Sequence, residues 1–272
     1  MKLAFIGGGN MAHALIVGLK KQQFAMPNIT VVELEANKRE ELSHNLGVNT
    51  TANLADITSC DVIVLAIKPQ QLPALAASLA LLLTNQLIIS IAAGIRLQDL
   101  SRWLGDYKTI IRAMPNTPAQ IQAGVTGLYA MPQVSKTHIV MADQILTAAG
   151  STLWLDAEQK LDAVTAISGS GPAYVFYLIE SLHEAALTLG LSEDEAKQLS
   201  ISTFKGASLL ADASPTPIAT LRAQVTSKGG TTEQGLLSLE NSKVKQAIVL
   251  AAQQACERAK TLGDELGNNA TC

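Results

Sequence analysis

Lys2-Leu3-Ala4-Phe5-Ile6-Gly7-Gly8-Gly9-Asn10-Met11-Ala12 is the stretch that decides the fold. A short apolar run breaks into three glycines, and a helical pattern follows at once. Gly7, Gly9 and Ala12 have the G-x-G-x-x-A spacing of a dinucleotide fingerprint. There the first glycine permits a tight turn, the second lets a pyrophosphate approach the backbone, and the last small residue lets the helix pack on the strand. The helix start presents unpaired N–H groups and the positive end of its dipole to phosphate. Gly7, Gly8, Gly9, Asn10, Met11 and Ala12 are therefore expected against a bound dinucleotide. The opening also resembles a secretion signal, but its apolar run is too short before the glycines.

Outward from this loop, short apolar runs alternate with helical patterns. Strands are expected at Lys2–Ile6, Ile29–Glu33, Val62–Ala66, Leu87–Ile91 and Thr109–Arg112, with Val125–Ala130 and Thr152–Leu155 finishing the sheet. Several are continuously apolar, as in a parallel sheet covered on both faces by helices. A helix from Ser135 to Ala149 is ended by Gly150. At Asp156 the texture changes. Asp156 and Gln159 have the spacing of a capping box, Pro172 opens a long apolar helix ended by Gly190, Ser192 and Glu195 form a second box, and Thr216-Pro217 marks a further start. The expectation is an α/β protein, with an N-terminal Rossmann-type parallel-sheet domain over residues 1–155 and a C-terminal all-α domain over 156–272.

Composition narrows the class. The chain has 272 residues, is 48% hydrophobic against 16% charged, and contains four Phe, four Tyr and two Trp, so its cores rest on aliphatic residues. A net charge of −3 without a Lys/Arg block argues against nucleic acid, and nothing suggests a membrane. Cys60, Cys256 and Cys272 lack metal-like spacing and suit a reducing, cytoplasmic setting. The helix from Pro172 to Leu191 is apolar on all sides; in a domain this small, a second copy of the chain is its expected cover, which makes a homodimer.

Candidate site residues fall on the loops leaving the strands. Glu33, at the end of the second strand, suits hydrogen bonds to adenosine ribose hydroxyls and repels a 2′-phosphate, favouring NAD; Lys38 and Arg39 follow closely and read either as phosphate partners or as a solvated charge cluster. Ala66, Lys68 and Pro69 follow the third strand, Ala92, Ala93 and Gly94 the fourth, and Asn116 the fifth. These loops lie at the carboxyl edge, where ligands bind in open α/β sheets, and are expected around the nicotinamide. In the helical domain, Val225-Thr226-Ser227-Lys228-Gly229-Gly230-Thr231-Thr232 has the form of an anion site suited to a small carboxylate: glycines for close approach, a helix start and four hydroxyls. Taken alone it reads equally as a helix-to-helix turn. His13, His44, His138 and His183 lie away from these loops and receive no role. Glu180 and Glu184 are four apart on one helix with His183 adjacent in sequence, but no further ligand falls at a useful spacing, so no metal is assigned.

The sequence resembles the pyrroline-5-carboxylate reductases over nearly its whole length. The resemblance rests on Phe5 to Ala12, Ala66-Ile67-Lys68-Pro69-Gln70, Ser90 to Gly94, Arg112 to Pro118, Ile167-Ser168-Gly169-Ser170-Gly171-Pro172-Ala173-Tyr174, and Val225 to Thr232. It implies hydride transfer from NADPH or NADH to the imine carbon of Δ1-pyrroline-5-carboxylate, giving L-proline, the last step of proline synthesis. It also implies a dimer of interlocked helical domains, often assembled into a decamer. The substrate carboxylate then falls to Val225, Ser227, Gly229, Gly230, Thr231 and Thr232, with Thr232 beside the ring nitrogen as the catalytic residue. Asn53 matches a family asparagine near the adenosine ribose. At Glu33-Leu34 the chain departs from the Asn-Arg with which many members hold the 2′-phosphate, so the resemblance leaves NADP and NAD both open. Two other readings stand beside this one. A β-hydroxyacid dehydrogenase shares the layout but carries a helix lysine absent from Pro172–Leu191; a non-catalytic dinucleotide sensor has no need of the second glycine loop.

Overall fold

The computed structural model describes residues 1–268; Cys272 lies outside them. The first unit holds β1 (Leu3–Ile6), α1 (Asn10–Lys21), β2 (Ile29–Val32), α2 (Ala36–Leu46), β3 (Asn49–Thr51), β4 (Val62–Leu65), α3 (Leu72–Ala80), β5 (Leu87–Ser90), α4 (Leu97–Trp103), β6 (Ile110–Met114), β7 (Gly124–Ala130), α5 (Lys136–Leu146), β8 (Gly150–Trp154) and α6 (Lys160–Val164). Its eight strands are ordered β3-β2-β1-β4-β5-β6-β7-β8. From β3 to β6 every pairing is parallel, and β7 turns antiparallel to β6. The order 3-2-1-4-5-6 is that of a Rossmann sheet.

Period-two alternation explains why the strands read as unbroken apolar runs. Leu3 and Phe5 join one core layer with Val62, Val64, Leu87 and Ile89; Ala4 and Ile6 join the opposite layer with Ile63, Leu65 and Ile88. Both faces are covered by helices, so neither set meets water, and each large side chain buried this way contributes about 1.5–3 kcal/mol.

Two local readings of the sequence need correction. Asp156 does not cap a helix: its carboxylate pairs with Lys160 at 2.6 Å, and α6 starts one turn later behind Gln159 without a side-chain cap. A strand also forms at Asn49–Thr51, edge-paired with β2, in a polar stretch without strand periodicity. Ser135, expected as the first residue of its helix, instead caps α5, and Ser192 with Glu195 closes the expected reciprocal box.

The chain divides into Met1–Ser170 with the helix end from Ala255, and Gly171–Gln254. The second unit is helical, with α7 (Gly171–Thr188), α8 (Glu193–Ala213), α9 (Ile218–Gln224), α10 (Thr231–Asn241) and the start of α11 (Val244–Asn268). Residues 156–170, expected with the helices, pack on the sheet. Arg112 of β6, with a side chain 5% exposed, reaches Glu158 at 3.0 Å and Asp162 at 3.6 Å. Alone, the chain leaves apolar side chains of α7 in solvent, Phe176 and Tyr177 among them.

Candidate active site

Above the carboxyl ends of β1, β2 and β4 lies a cleft of about 600 Å³. Gly7, Gly8, Gly9, Glu33, Ala66 and Lys68, all expected there, line it together with Val32, Leu34, Lys38, Ala52, Leu54, Ile67, Gln71 and Leu75. Gly7 has φ +100°, and a Cβ on it would lie 2.6 Å from the Ala66 carbonyl oxygen, so only glycine lets β1 turn beside β4. Gly9 differs: nothing stands within 4 Å of where its Cβ would be. It caps α1 without a side-chain acceptor, and Asn10 and Met11 start the helix above buried Ala12. First-turn amides with no side-chain partner, beside an open backbone flank, fit a pyrophosphate.

Glu33 is fixed by its neighbours. Its carboxylate accepts from the Gly8 N–H at 3.2 Å and the Glu35 N–H at 3.1 Å. Burial alone disfavours its charge, but N–H bonds from Glu35, Gly8 and Leu34, with the nearby Lys38 ammonium, outweigh that and hold the carboxyl below its usual range. Of the cations that follow, Lys38 pairs with Glu35 at 2.7 Å on the cleft wall, and Arg39 donates to the carbonyls of Glu33 and Leu34, both at 2.8 Å.

Other expected residues are not among those lining this cleft. Asn53 accepts from the Ala55 N–H at 3.0 Å and caps a short 3-10 turn, while its neighbours Ala52 and Leu54 line the cleft. Pro69 starts the 3-10 turn behind Lys68. Ala92 is buried and Gly94 packs against Leu262 of α11. Asn116 accepts from the Val125 N–H at 2.9 Å, which ties the loop after β6 to β7. Leu34, Ala52, Leu54 and Gln71 carry no motif; only the strand pairing β3–β2 brings residues 52–54 beside residue 34.

In the helical unit the second glycine loop is an amide-rich turn. Gly229 has φ +74°, and its N–H donates to the Glu233 carboxylate at 2.7 Å. Gly230 caps α10, which opens on Thr231 and Thr232 without a side-chain cap. Val225, Ser227, Thr231 and Thr232 are exposed, and Gly230 is half-buried, its N–H donating to the Ser227 carbonyl at 3.1 Å. Glu233 carries no motif; its place four residues after Gly229 is the one signal in the sequence. His183 lies 3.1 Å from Glu193, and no group of three or more potential metal ligands gathers among the described residues.

A Rossmann sheet with an uncapped glycine-loop helix, joined to a helical unit with its own glycine turn, defines a dinucleotide-binding protein. Comparison with known proteins narrows this. A family model described as pyrroline-5-carboxylate reductase dimerisation matches residues 158–262, and one described as NADP oxidoreductase, coenzyme F420-dependent, matches residues 2–94. The pyrroline-5-carboxylate reductase of Pseudomonas aeruginosa is 42% identical over 268 residues, covering 96% of this chain and 98% of that protein. A solved pyrroline-5-carboxylate reductase from Coxiella burnetii superposes with a TM-score of 0.91 at 38% identity, covering 96% and 98% of the two chains. The Plasmodium falciparum pyrroline carboxylate reductase, solved with NADP bound, gives 0.87 at 31% identity over 97% and 98%. The chain belongs to the pyrroline-5-carboxylate reductase family. It is an NAD(P)H-dependent oxidoreductase, and the hydroxyacid dehydrogenase and sensor readings fall away. Its residues 158–262 match a dimerisation domain.

Proposed function

We propose that this chain reduces Δ1-pyrroline-5-carboxylate to L-proline with NADPH or NADH, as the last step of proline synthesis. The uncapped start of α1 beneath the open flank of Gly9 carries the dinucleotide half of the reading, and family membership supplies the substrate. A bound reduced nicotinamide supplies the hydride that the electrophilic imine carbon accepts. What remains for the protein is positioning. We assign the cofactor to Gly7 through Ala12, Glu33, Asn53, Ala66, Lys68, Pro69, Ala92, Ala93, Gly94 and Asn116, within a functional domain of residues 1–155. The substrate carboxylate falls to Val225, Ser227, Gly229, Gly230, Thr231 and Thr232, within a substrate-binding and dimerisation domain of residues 156–272. The start of α10 behind Gly230, whose amides have no side-chain cap, supports the loop's suitability for an anion. Thr232 hydrogen-bonds the ring nitrogen as it becomes an amine, with the substrate bound protonated or drawing its proton from water.

On cofactor choice, Glu33 disfavours a 2′-phosphate. It is ionised and held in place by two backbone N–H groups, and the Arg39 guanidinium is turned onto backbone carbonyls. Dimers assembling into a decamer, working in the cytoplasm, complete the reading; the free thiols Cys60 and Cys256 suit a reducing compartment. The deciding experiment offers the purified chain proline with NAD⁺ or NADP⁺ at high pH, and the imine with NADH or NADPH. Turnover in either direction is expected, and folded protein inactive in both overturns the proposal.

A further inference from the structure

Between α6 and α7 the helix takes a single π-turn, Thr165–Gly169, closed by the Ser170 N–H on the Thr165 carbonyl at 2.8 Å. Isolated π-turns are costly and are found disproportionately at functional sites. This one carries Ser168, whose hydroxyl is shielded from solvent yet has no hydrogen-bond partner among the described residues. Helix hydroxyls elsewhere satisfy themselves on the carbonyl four residues back: Thr165 on Leu161, Ser181 on Tyr177, Thr188 on Glu184, Thr226 on Arg222. Ser168 does not, and a shielded hydroxyl left so calls for a partner from outside the chain.

The position of the turn says which partner. Asp162, at the start of this segment, lies beside Arg112, and Gly169, at its end, lies against Met114, where a Cβ on the glycine would come within 2.6 Å of the methionine methyl. The segment thus runs alongside β6 toward that strand's carboxyl end. A dinucleotide on a 3-2-1-4-5-6 sheet lays its adenosine over β1–β3 and its nicotinamide over the other half, outside the carboxyl ends. The cleft walls at Glu33, Leu34 and Ala52 mark the adenosine side; Ser168 stands on the nicotinamide side. Among the described residues the other two shielded, unpartnered side-chain polar atoms, Trp103 Nε1 and His138 Nδ1, belong to α4 and α5 and not to this edge.

We infer that the Ser168 hydroxyl hydrogen-bonds the carboxamide of the bound nicotinamide and orients the ring for hydride transfer. A hydroxyl both donates and accepts, as does a carboxamide, so either rotamer of the amide is served. Ser168 is a positioning residue in a reaction already assigned to the chain, and the inference rests on that reading. The test is Ser168→Ala in the full-length protein, titrated with NADH, NADPH, ADP-ribose and 2′-phospho-ADP-ribose, the last two lacking the nicotinamide. One neutral hydrogen bond predicts roughly two- to tenfold weaker binding of the intact dinucleotides, with the fragments bound as before and kcat lowered. Unchanged affinity for all four overturns the inference, as does an equal loss for the fragments, which would mean general damage to the cleft. If S168A does not fold, Ser168→Cys, similar in size but a poor donor, is judged by the same ratios. Failure of the reductase reading itself would appear separately, as a wild-type protein without turnover.

Discussion

Gly7 and Gly9 stand two residues apart in one motif, and the structure separates their roles, so Gly7→Ala and Gly9→Ala are expected to fail in different ways. At Gly7 an alanine must adopt φ +100°, which costs roughly 1–2 kcal/mol, and its methyl must fit 2.6 Å from the Ala66 carbonyl oxygen and 2.8 Å from Ile67 Cγ2. Backbone cannot yield as a side-chain end can, so crowding adds roughly 1–3 kcal/mol. Together these remove about 2–5 kcal/mol, a large share of the 5–15 kcal/mol typical of a folded domain. At Gly9 the backbone is extended, with φ −74° and ψ −179°, and no atom lies within 4 Å of the added methyl. Stability should therefore change by less than about 1 kcal/mol, the range of a cap substitution. The same methyl occupies the flank through which a pyrophosphate approaches. Losing one charge-assisted amide bond, about 1.5–3 kcal/mol, predicts roughly ten- to hundredfold weaker dinucleotide binding. Urea unfolding without cofactor, paired with NADH and NADPH titrations, reads both quantities. A stable G7A, or a G9A that binds like wild type, would refute the reasoning at that position.

Glu33→Asn removes the fixed carboxylate from the ribose side and is expected to lower the Michaelis constant for NADPH more than that for NADH; parallel kinetics with equal shifts would remove Glu33 from cofactor choice. Glu33 also predicts a pH dependence. Its pKa is depressed in the folded state, so the stabilisation is fully present above the unfolded value near 4.5 and is lost as pH falls through the lower folded value. The stability gap between wild type and Glu33→Gln should accordingly close on acidification, and a gap that widens would contradict the assignment. Thr232→Ala should lower turnover by about tenfold, the worth of one hydrogen bond made in the transition state, with cofactor affinity unchanged; steady-state kinetics showing wild-type turnover would sink that role. Arg112→Met strands Glu158 and Asp162 without their shared cation, and chemical denaturation should show a loss of about 3–5 kcal/mol, as for a broken buried pair.

Much of this protein is written in local chemistry. Gly7 to Ala12 announces its turn because only small residues meet its steric demands, and the strands announce themselves because a sheet covered on both faces needs apolar residues at every position. The box at Ser192 and Glu195 is legible for the same reason, since it is satisfied within three residues. Where a local signal competes with another partner it misleads: Asp156 has the spacing of a cap but meets Lys160 instead.

Whatever depends on residues distant in the chain had to wait for the tertiary structure. Strand β3 carries no periodicity and exists because β2 offers an unpaired edge, and that pairing brings Ala52 and Leu54 to the cleft wall. Arg112 reads as part of a motif, yet its partners lie about 50 residues downstream and hold residues 158–162 on the sheet. The hydroxyl of Ser168 looks like any serine in a glycine-rich run until the π-turn denies it a backbone partner. The sequence by itself determined every strand of the sheet but β3, the phosphate loop and the family, because those are carried by local runs and motifs; burial, register and unmet hydrogen bonds are properties of the packed molecule, and only its structure decided them.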